Sequence, residues 1–312
     1  PPGWLSQNEV VRPQELRQWY WEQNQTRLTS ADGQIRSDFQ KKIVEAAETP
    51  ENLQRQKLAK ERLEKAASEA SIEYDKKKVY DDILVAVELD SNFLLLGNGI
   101  PGQRNNIVGT SYLKAQSKCV VYGAGLDYSA QFEIQAAKEL GCAVHAFDCT
   151  LLNMERLKGF LGRQEQYQNL AFHPWCIGEE PNTSVDVGQQ KTMYNYTNLE
   201  SGSNFATLDG IVSRLGHDEI DILKFDIEGF EWKLLDVILS GSALPRQLQF
   251  ELHAQGANRG YVPESLSAGK DNQQVARLFL RLYDLGYRIV TKELNHGDAA
   301  CAEFVLYRFY IS

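Results

Sequence analysis

The chain has 312 residues, 43% hydrophobic and 24% charged, which gives a large globular domain its core and excludes a mostly disordered chain. A formal net charge of -9 disfavours nonspecific attraction to nucleic acid or an anionic membrane surface. No apolar run approaches the roughly 18 residues that a membrane-spanning helix needs.

In chain order, residues 1–116 are expected to form a helical extension or cap and 117–312 the main domain. The sequence opens on Pro1-Pro2 without an initiator Met and is read as a trimmed or processed form. Asp38 to Lys78 is predicted helical, interrupted at Pro50, with Leu53, Leu58, Leu63 and Ala66 as its apolar positions. A partner-binding helix, a lid and a homodimer surface are the alternatives to a packed cap. Asn98 to Gly102 is turn chemistry. Strands are then predicted over Cys119–Tyr122, Ala143–Phe147, Leu170–Ile177, Asp221–Phe225 and Leu248–Leu252. Helices fall between or after them at Ser129–Leu140, Leu152–Phe160, Trp232–Leu239 and Gln273–Leu285. Tyr287–Lys292 and Cys301–Tyr307 form a closing hairpin around Asn295-His296-Gly297-Asp298. This alternation predicts an α/β fold: a mostly parallel sheet with helices on both faces and one antiparallel strand.

The five cysteines are scattered and show no CxxC pair, so Cys119, Cys142, Cys149 and Cys301 are expected to be buried free thiols. Asn24-Gln25-Thr26, Asn182-Thr183-Ser184 and Asn195-Tyr196-Thr197 fit the glycosylation acceptor pattern. They permit a secretory or Golgi-lumen history; a cytoplasmic protein is the alternative.

Val120-Val121-Tyr122-Gly123-Ala124-Gly125 places two glycines directly after a strand and before a helix. Glycines there let the backbone turn sharply and approach a ligand. Asp148 ends the next strand, where a carboxylate can accept the hydroxyls of a ribose. The third glycine of a dinucleotide fingerprint is missing, and Asp127 would repel a pyrophosphate. S-adenosylmethionine, which has no phosphate and carries two cationic groups, suits an acidic turn better. Its expected contacts are Gly123, Ala124, Gly125, Asp148 and Cys149. The bland alternative is a tight turn with Asp148 capping the following helix.

Asp226, Glu228 and Glu231 crowd the end of an apolar strand around Gly229. Crowded acids raise one another's pKa, a pattern common at functional sites. Glu231 is alternatively a stabiliser of the next helix N-terminus. Glu251 and His253 lie two apart, on one side of the next strand. Three readings stay open: His253 as a general base, Asp226, Glu251 and His253 as ligands of a divalent cation such as Mg or Mn, or a structural hydrogen-bond set. Glu228 joins the catalytic candidates. His145 and His173 are read as structural. Trp175, Tyr194, Tyr196 and Trp232 are candidates for a sugar platform or for core packing, and Gly178 to Phe205 for a substrate loop.

The Asp226 to Trp232 segment resembles the signature of FkbM-type S-adenosylmethionine-dependent methyltransferases. Gly141 to Asp148, Leu215-Gly216-His217, Gln249 to His253 and Cys301 to Phe304 resemble the related methyltransferase-like domain family. The resemblance implies a class I, Rossmann-like seven-stranded sheet with the last strand antiparallel, cofactor contacts at Gly123, Gly125 and Asp148, and Asp226 near the transferred methyl. By analogy it implies O-methylation of a sugar, a glycan or a similar small-molecule hydroxyl. A non-catalytic scaffold on this fold, a methyltransferase acting on a protein or a small natural product, and a nicotinamide-dependent oxidoreductase are the competing hypotheses.

Overall fold

The computed structural model describes residues 30–69, 74–89, 94–96, 105–126, 130–148, 167–173, 175–178, 205–257 and 260–310. The predicted helix 152–160, the turn at 98–102, the three glycosylation patterns, Cys149, Tyr194 and Tyr196 lie outside them.

Two helices open the described chain, α1 (Ser30–Ala47) and α2 (Pro50–Ser68). The break at Pro50 is a helix start: Thr49 caps it by accepting from Asn52 N, and Pro50 takes the first turn, where no N–H is needed. The inward stripe of α2 is Asn52, Gln56, Ala59, Leu63 and Ala66, spaced three and four apart. Leu53 and Leu58, expected on that stripe, fall off its phase and are about half exposed, at 49% and 50%. Next come β1 (Leu94–Leu96), β2 (Asn105–Ile107), α3 (Thr110–Ala115), β3 (Val120–Ala124), α4 (Gln131–Leu140) and β4 (Ala143–Phe147). They are followed by β5 (Leu170–His173), β6 (Cys176–Ile177), β7 (Phe205–Ala206), α5 (Leu208–Leu215), β8 (Ile222–Phe225) and α6 (Glu231–Ser240). The chain closes with β9 (Gln247–His253), α7 (Glu264–Ser267), α8 (Asn272–Asp284), β10 (Tyr287–Leu294) and β11 (Cys301–Arg308).

Seven strands form one sheet in the order β10-β11-β9-β8-β3-β4-β5. The pairs from β9 through β8, β3 and β4 to β5 are parallel, whereas β11 runs antiparallel to both β9 and β10. The expected closing antiparallel strand is therefore present, inserted between β9 and β10. Every residue of β4 and β9 is buried, as strands covered on both faces must be. The predicted strand 170–177 is two strands. β5 ends the large sheet, and β6 pairs with β7 in a separate ribbon. β5 ends at His173 and β6 begins at Cys176.

The free-thiol expectation is overturned for Cys119 and Cys142, which form a disulfide. Each immediately precedes one of two neighbouring parallel strands in register, Val120 opposite Ala143, so their Cα atoms lie 4.7 Å apart. Cys176 is also disulfide-bonded. Cys301 is free and buried, as expected.

The segment before 117 shares the core of the sheet. Val79, Tyr80 and Ile83 join the cluster that contains Phe250 and Phe304. The Tyr80 hydroxyl is shared between the carbonyl oxygens of Leu252 and Ala300, and Ala86 N donates to Ile289 O at 2.8 Å. Gln249 Nε2 donates to Asn106 O at 2.9 Å, tying β2 to β9. Among the described residues no helix is long and apolar enough to cross a membrane.

Candidate active site

The carboxyl ends of β3, β4, β8 and β9 meet at one edge of the sheet. At the end of β3, Gly125 N donates to Phe147 O and Asp226 N to Ala124 O, both at 3.2 Å. The turn is thus stitched to both neighbouring strands. Gly125 adopts φ +75°, and a Cβ there would lie 1.7 Å from the Asp226 carbonyl oxygen, so only glycine fits. A Cβ at Gly123 would meet Glu133 Oε1 at 2.2 Å, which places a buried carboxylate over the turn. Asp148 Oδ2 accepts from Leu126 N at 3.0 Å, fixing the acid at the end of β4 against the same turn.

The second half of the site grows from β8, β9 and β11. In the parallel β8–β9 pair Phe225 lies opposite Phe250, so Asp226 and Glu251 follow side by side. In the antiparallel β9–β11 pair His253 lies opposite Cys301 and Glu251 opposite Glu303. Opposed residues share a face, so these side chains converge. His253 Nε2 lies 3.4 Å from Glu251 Oε2 and 3.7 Å from Glu228 Oε2. Its Nδ1 lies 3.2 Å from Glu231 Oε2, an ion-pair contact rather than an in-line hydrogen bond. Glu231 also accepts from Ile227 N at 2.8 Å and Gly229 N at 2.9 Å. It caps the loop before α6 while flanking the histidine. Glu228 sits in that loop at φ +56°, a conformation rare for a residue with a side chain. Asn295 Nδ2 donates to Glu251 Oε1 at 2.8 Å. Lys224 Nζ donates to Gly125 O at 3.3 Å, linking this cluster to the glycine turn.

Burial and crowding set the protonation states. Burial, and then the charge of Glu251, push the Asp226 carboxyl up to about 7. Burial and Asp226 carry Glu228 up to about 8. Burial, Glu251 and Asp226 raise Glu303 well above the usual carboxylate range. Burial favours a neutral His253, but Glu231, Cys301 and Glu251 outweigh it and hold the ring as imidazolium. Against its own burial, Glu251 is kept below the ordinary value by the hydrogen bond and charge of His253. Burial pushes the Cys301 thiol up to about 11.

Of the predicted residues, Gly123, Ala124, Gly125 and Asp148 lie at the turn, and Asp226, Glu228, Glu251 and His253 lie in the adjoining cluster. Cys149 is outside the described residues. Among the described residues, three sets of potential metal-ligand atoms lie within 4.8 Å of one another: Glu251–His253–Cys301, Asp226–Glu231–His253 and Asp226–Glu251–Glu303. Each uses two of the three expected ligands and adds another residue. Cys301 and Glu303 escaped the sequence reading because only the β9–β11 register brings them in. Glu133 left a readable signal, a carboxylate on the buried stripe of Phe132, Ala136, Ala137 and Leu140. Trp232 is buried and donates its indole N–H to His253 O at 2.8 Å, which makes it a brace for β9. His145 Nδ1 and His173 Nε2 lie 2.8 Å apart, and Tyr122 Oη lies 2.6 Å from His217 Nδ1. Burial keeps all three rings neutral, His173 at about 3 and His217 at about 4.

A seven-stranded sheet reversed only at its last strand, with a glycine turn and an acid ending the neighbouring strand, defines a class I, Rossmann-like methyltransferase domain. The chain belongs to a family described as a methyltransferase domain, whose sequence profile matches residues 101–308. It is 31% identical over 140 residues to the probable methyltransferase-like protein 24 of Homo sapiens, covering 44% of this chain and 33% of the relative. The Rattus norvegicus protein of the same name is 31% identical over 149 residues, covering 46% and 36%. The chain thus aligns with about a third of the length of these curated relatives. Among solved structures, the fibrillarin pre-rRNA processing protein of Methanococcus jannaschii superposes with a TM-score of 0.35 at 10% identity, covering 70% of this chain and 83% of that one. A likeness at that level bears on neither activity nor substrate.

Proposed function

We propose that the protein transfers the methyl group of S-adenosylmethionine to a hydroxyl of a sugar, a glycan or a similar polyhydroxylated acceptor. The observation that carries the reading is the direct join between the glycine turn and the ionisable cluster: Asp226 packs its carbonyl on Gly125, and Lys224 bonds the same residue. Gly123, Ala124, Gly125 and Asp148 would hold the donor, with Glu133 adding negative charge. An acidic wall fits a ligand with a sulfonium and an ammonium group and no phosphate. The donor supplies an electrophilic methyl group.

The chain's own part is to hold the acceptor and take its proton. Asp226, poised near 7, suits a general base, and one carboxylate oxygen, Oδ1, is buried without a hydrogen-bond partner. His253, as imidazolium, positions Glu251 and Glu228 and does not itself accept the proton. A divalent cation held by Asp226, Glu251 and His253 is the second reading. It is favoured by five carboxylates, at 226, 228, 231, 251 and 303, gathered around His253 and Lys224. The hydroxyl acceptor follows from the FkbM-type resemblance of 226–232. The Cys119–Cys142 bridge supports an oxidising, secretory compartment.

The test is an acceptor screen with isotopically labelled methyl donor, with and without chelator, beside calorimetry of donor binding. Labelled methyl ethers on sugars are the expected product. Heat-silent titration of the donor into the folded protein removes the proposal, and label confined to nitrogen removes the hydroxyl acceptor.

A further inference from the structure

We infer that Glu251, His253 and Cys301 form a three-ligand site for a zinc-type transition-metal ion. The inference deepens the cation reading given above: it names the ligand set and the metal class.

Four observations carry it. The first is proximity: one ligand atom from each residue lies within 4.8 Å of the other two, and all three residues are buried. Zinc bonds of about 2.0–2.3 Å place tetrahedral ligands roughly 3.3–3.7 Å apart, so modest side-chain rotation closes the set. The second is rigidity. Cys301 and His253 are directly opposed on paired strands, and Glu251 is two residues from His253 on the same face.

The third is the outer layer. Metal-bound histidines commonly present their other ring nitrogen to a carboxylate, which fixes the tautomer and orients the ring. Glu231, fully buried and pinned by two backbone N–H groups, stands 3.2 Å from His253 Nδ1. The inward nitrogen is then Nε2, 3.4 Å from Glu251 Oε2. Asn295 occupies Glu251 Oε1 and leaves Oε2 for the ion. Both ligands therefore have the support that bound ligands need.

The fourth is donor chemistry. A thiolate, an imidazole and a carboxylate select zinc over magnesium or calcium, which favour oxygen alone. Cys301 is a free thiol in a chain whose Cys119, Cys142 and Cys176 are oxidised, so it is kept out of disulfide exchange. On binding, the dication displaces the thiol proton of Cys301 and the imidazolium proton of His253, and both leave to solvent.

The test uses the full chain, stripped by chelator without reductant so that its disulfides stay closed, and titrated with cobalt(II) as a spectroscopic stand-in. One equivalent should bind with a sulfur-to-cobalt charge-transfer band that zinc abolishes. Cys301→Ser should lose the band, and Asn295→Ala should weaken binding by about 10–100-fold. Absence of binding, or binding without the sulfur band, overturns the site. Circular dichroism checks the fold of each variant. If Cys301→Ser misfolds, X-ray absorption at the zinc edge of the unaltered protein decides: one sulfur at about 2.3 Å is expected, and none overturns the site. Donor calorimetry on the same sample separates the two readings, because loss of metal binding with donor binding intact sinks only the metal site.

Discussion

Glu231 folds its carboxylate back onto the loop that precedes it, and Oε2 stands 3.2 Å from Nδ1 of His253. One fully buried side chain thus ties the loop after β8 to the last residue of β9. Glu231→Gln replaces one acceptor oxygen by an amide that faces a backbone N–H. We expect a loss of about 2–3 kcal/mol in urea unfolding, since a buried donor is left unsatisfied and an ion pair is removed. An unchanged midpoint would mean that other contacts hold the loop.

Two glycines with nearly the same φ separate conformational strain from steric exclusion. Gly141 sits at φ +73° with nothing within 4 Å of an added Cβ, whereas Gly125 sits at φ +75° against the Asp226 carbonyl. Gly141→Ala should cost about 1–2 kcal/mol, the usual penalty of a left-handed alanine. Gly125→Ala should cost more and should also abolish donor binding measured by calorimetry. Equal effects of the two would contradict the packing of the turn.

The Cys119–Cys142 bridge closes a segment with a sequence separation of 23. A double replacement by alanine should lower stability by about 3 kcal/mol, chiefly by freeing the unfolded chain. Non-reducing peptide mapping should recover the two cysteines in one linked fragment. Separate fragments carrying free thiols would refute the bridge and, with it, the argument for an oxidising compartment.

The pH dependence has a definite sign. The folded-state pKa values of Asp226, about 7, and Glu228, about 8, lie above their ordinary values. Between about 4 and about 6.5 these acids are opposed by His145, His173 and His217, which burial keeps neutral in the fold while the unfolded chain protonates them; from about 6.5 to about 8 the native protein binds more protons than the unfolded chain, and stability falls as pH rises through that window. Denaturant midpoints should be higher near the bottom of the window than at its top, and Asp226→Asn with Glu228→Gln should flatten the profile. A rise in stability across the same window would reverse the assignment.

How far these features were legible depended on the range of the interactions behind them. β4 and β8 were legible within one residue because each is a mostly apolar run, broken only by His145 or Lys224, that is followed by an acid. Helix α5 went unread although its signs were present: Thr207 as cap, Leu208, Ile211, Val212 and Leu215 at helical spacing, and Gly216 as a stop. Leu53 and Leu58 misled because the stripe of α2 includes Asn52 and Gln56, polar residues buried by hydrogen bonds to Ala46 O and Ala47 O. Asp226, Glu251 and His253 were readable from local pattern. Cys301 and Glu303 were not, since their place depends on β11 inserting beside β9, a pairing that no local spacing encodes. The disulfide had the same cause: Cys119 and Cys142 meet only once β3 and β4 are known to be neighbours in register.

The phenol of Tyr80 ends between the carbonyls of Leu252 and Ala300, one residue short of His253 and of Cys301. It works as a crossbar that sets the gauge between the two strands just below their reactive tips. The family profile begins at residue 101, beyond this tyrosine. A protein trimmed to the profile limits would keep every ionisable group of the pocket and lose the strut that spaces them. Activity assays on such a shortened form would report on a slackened frame.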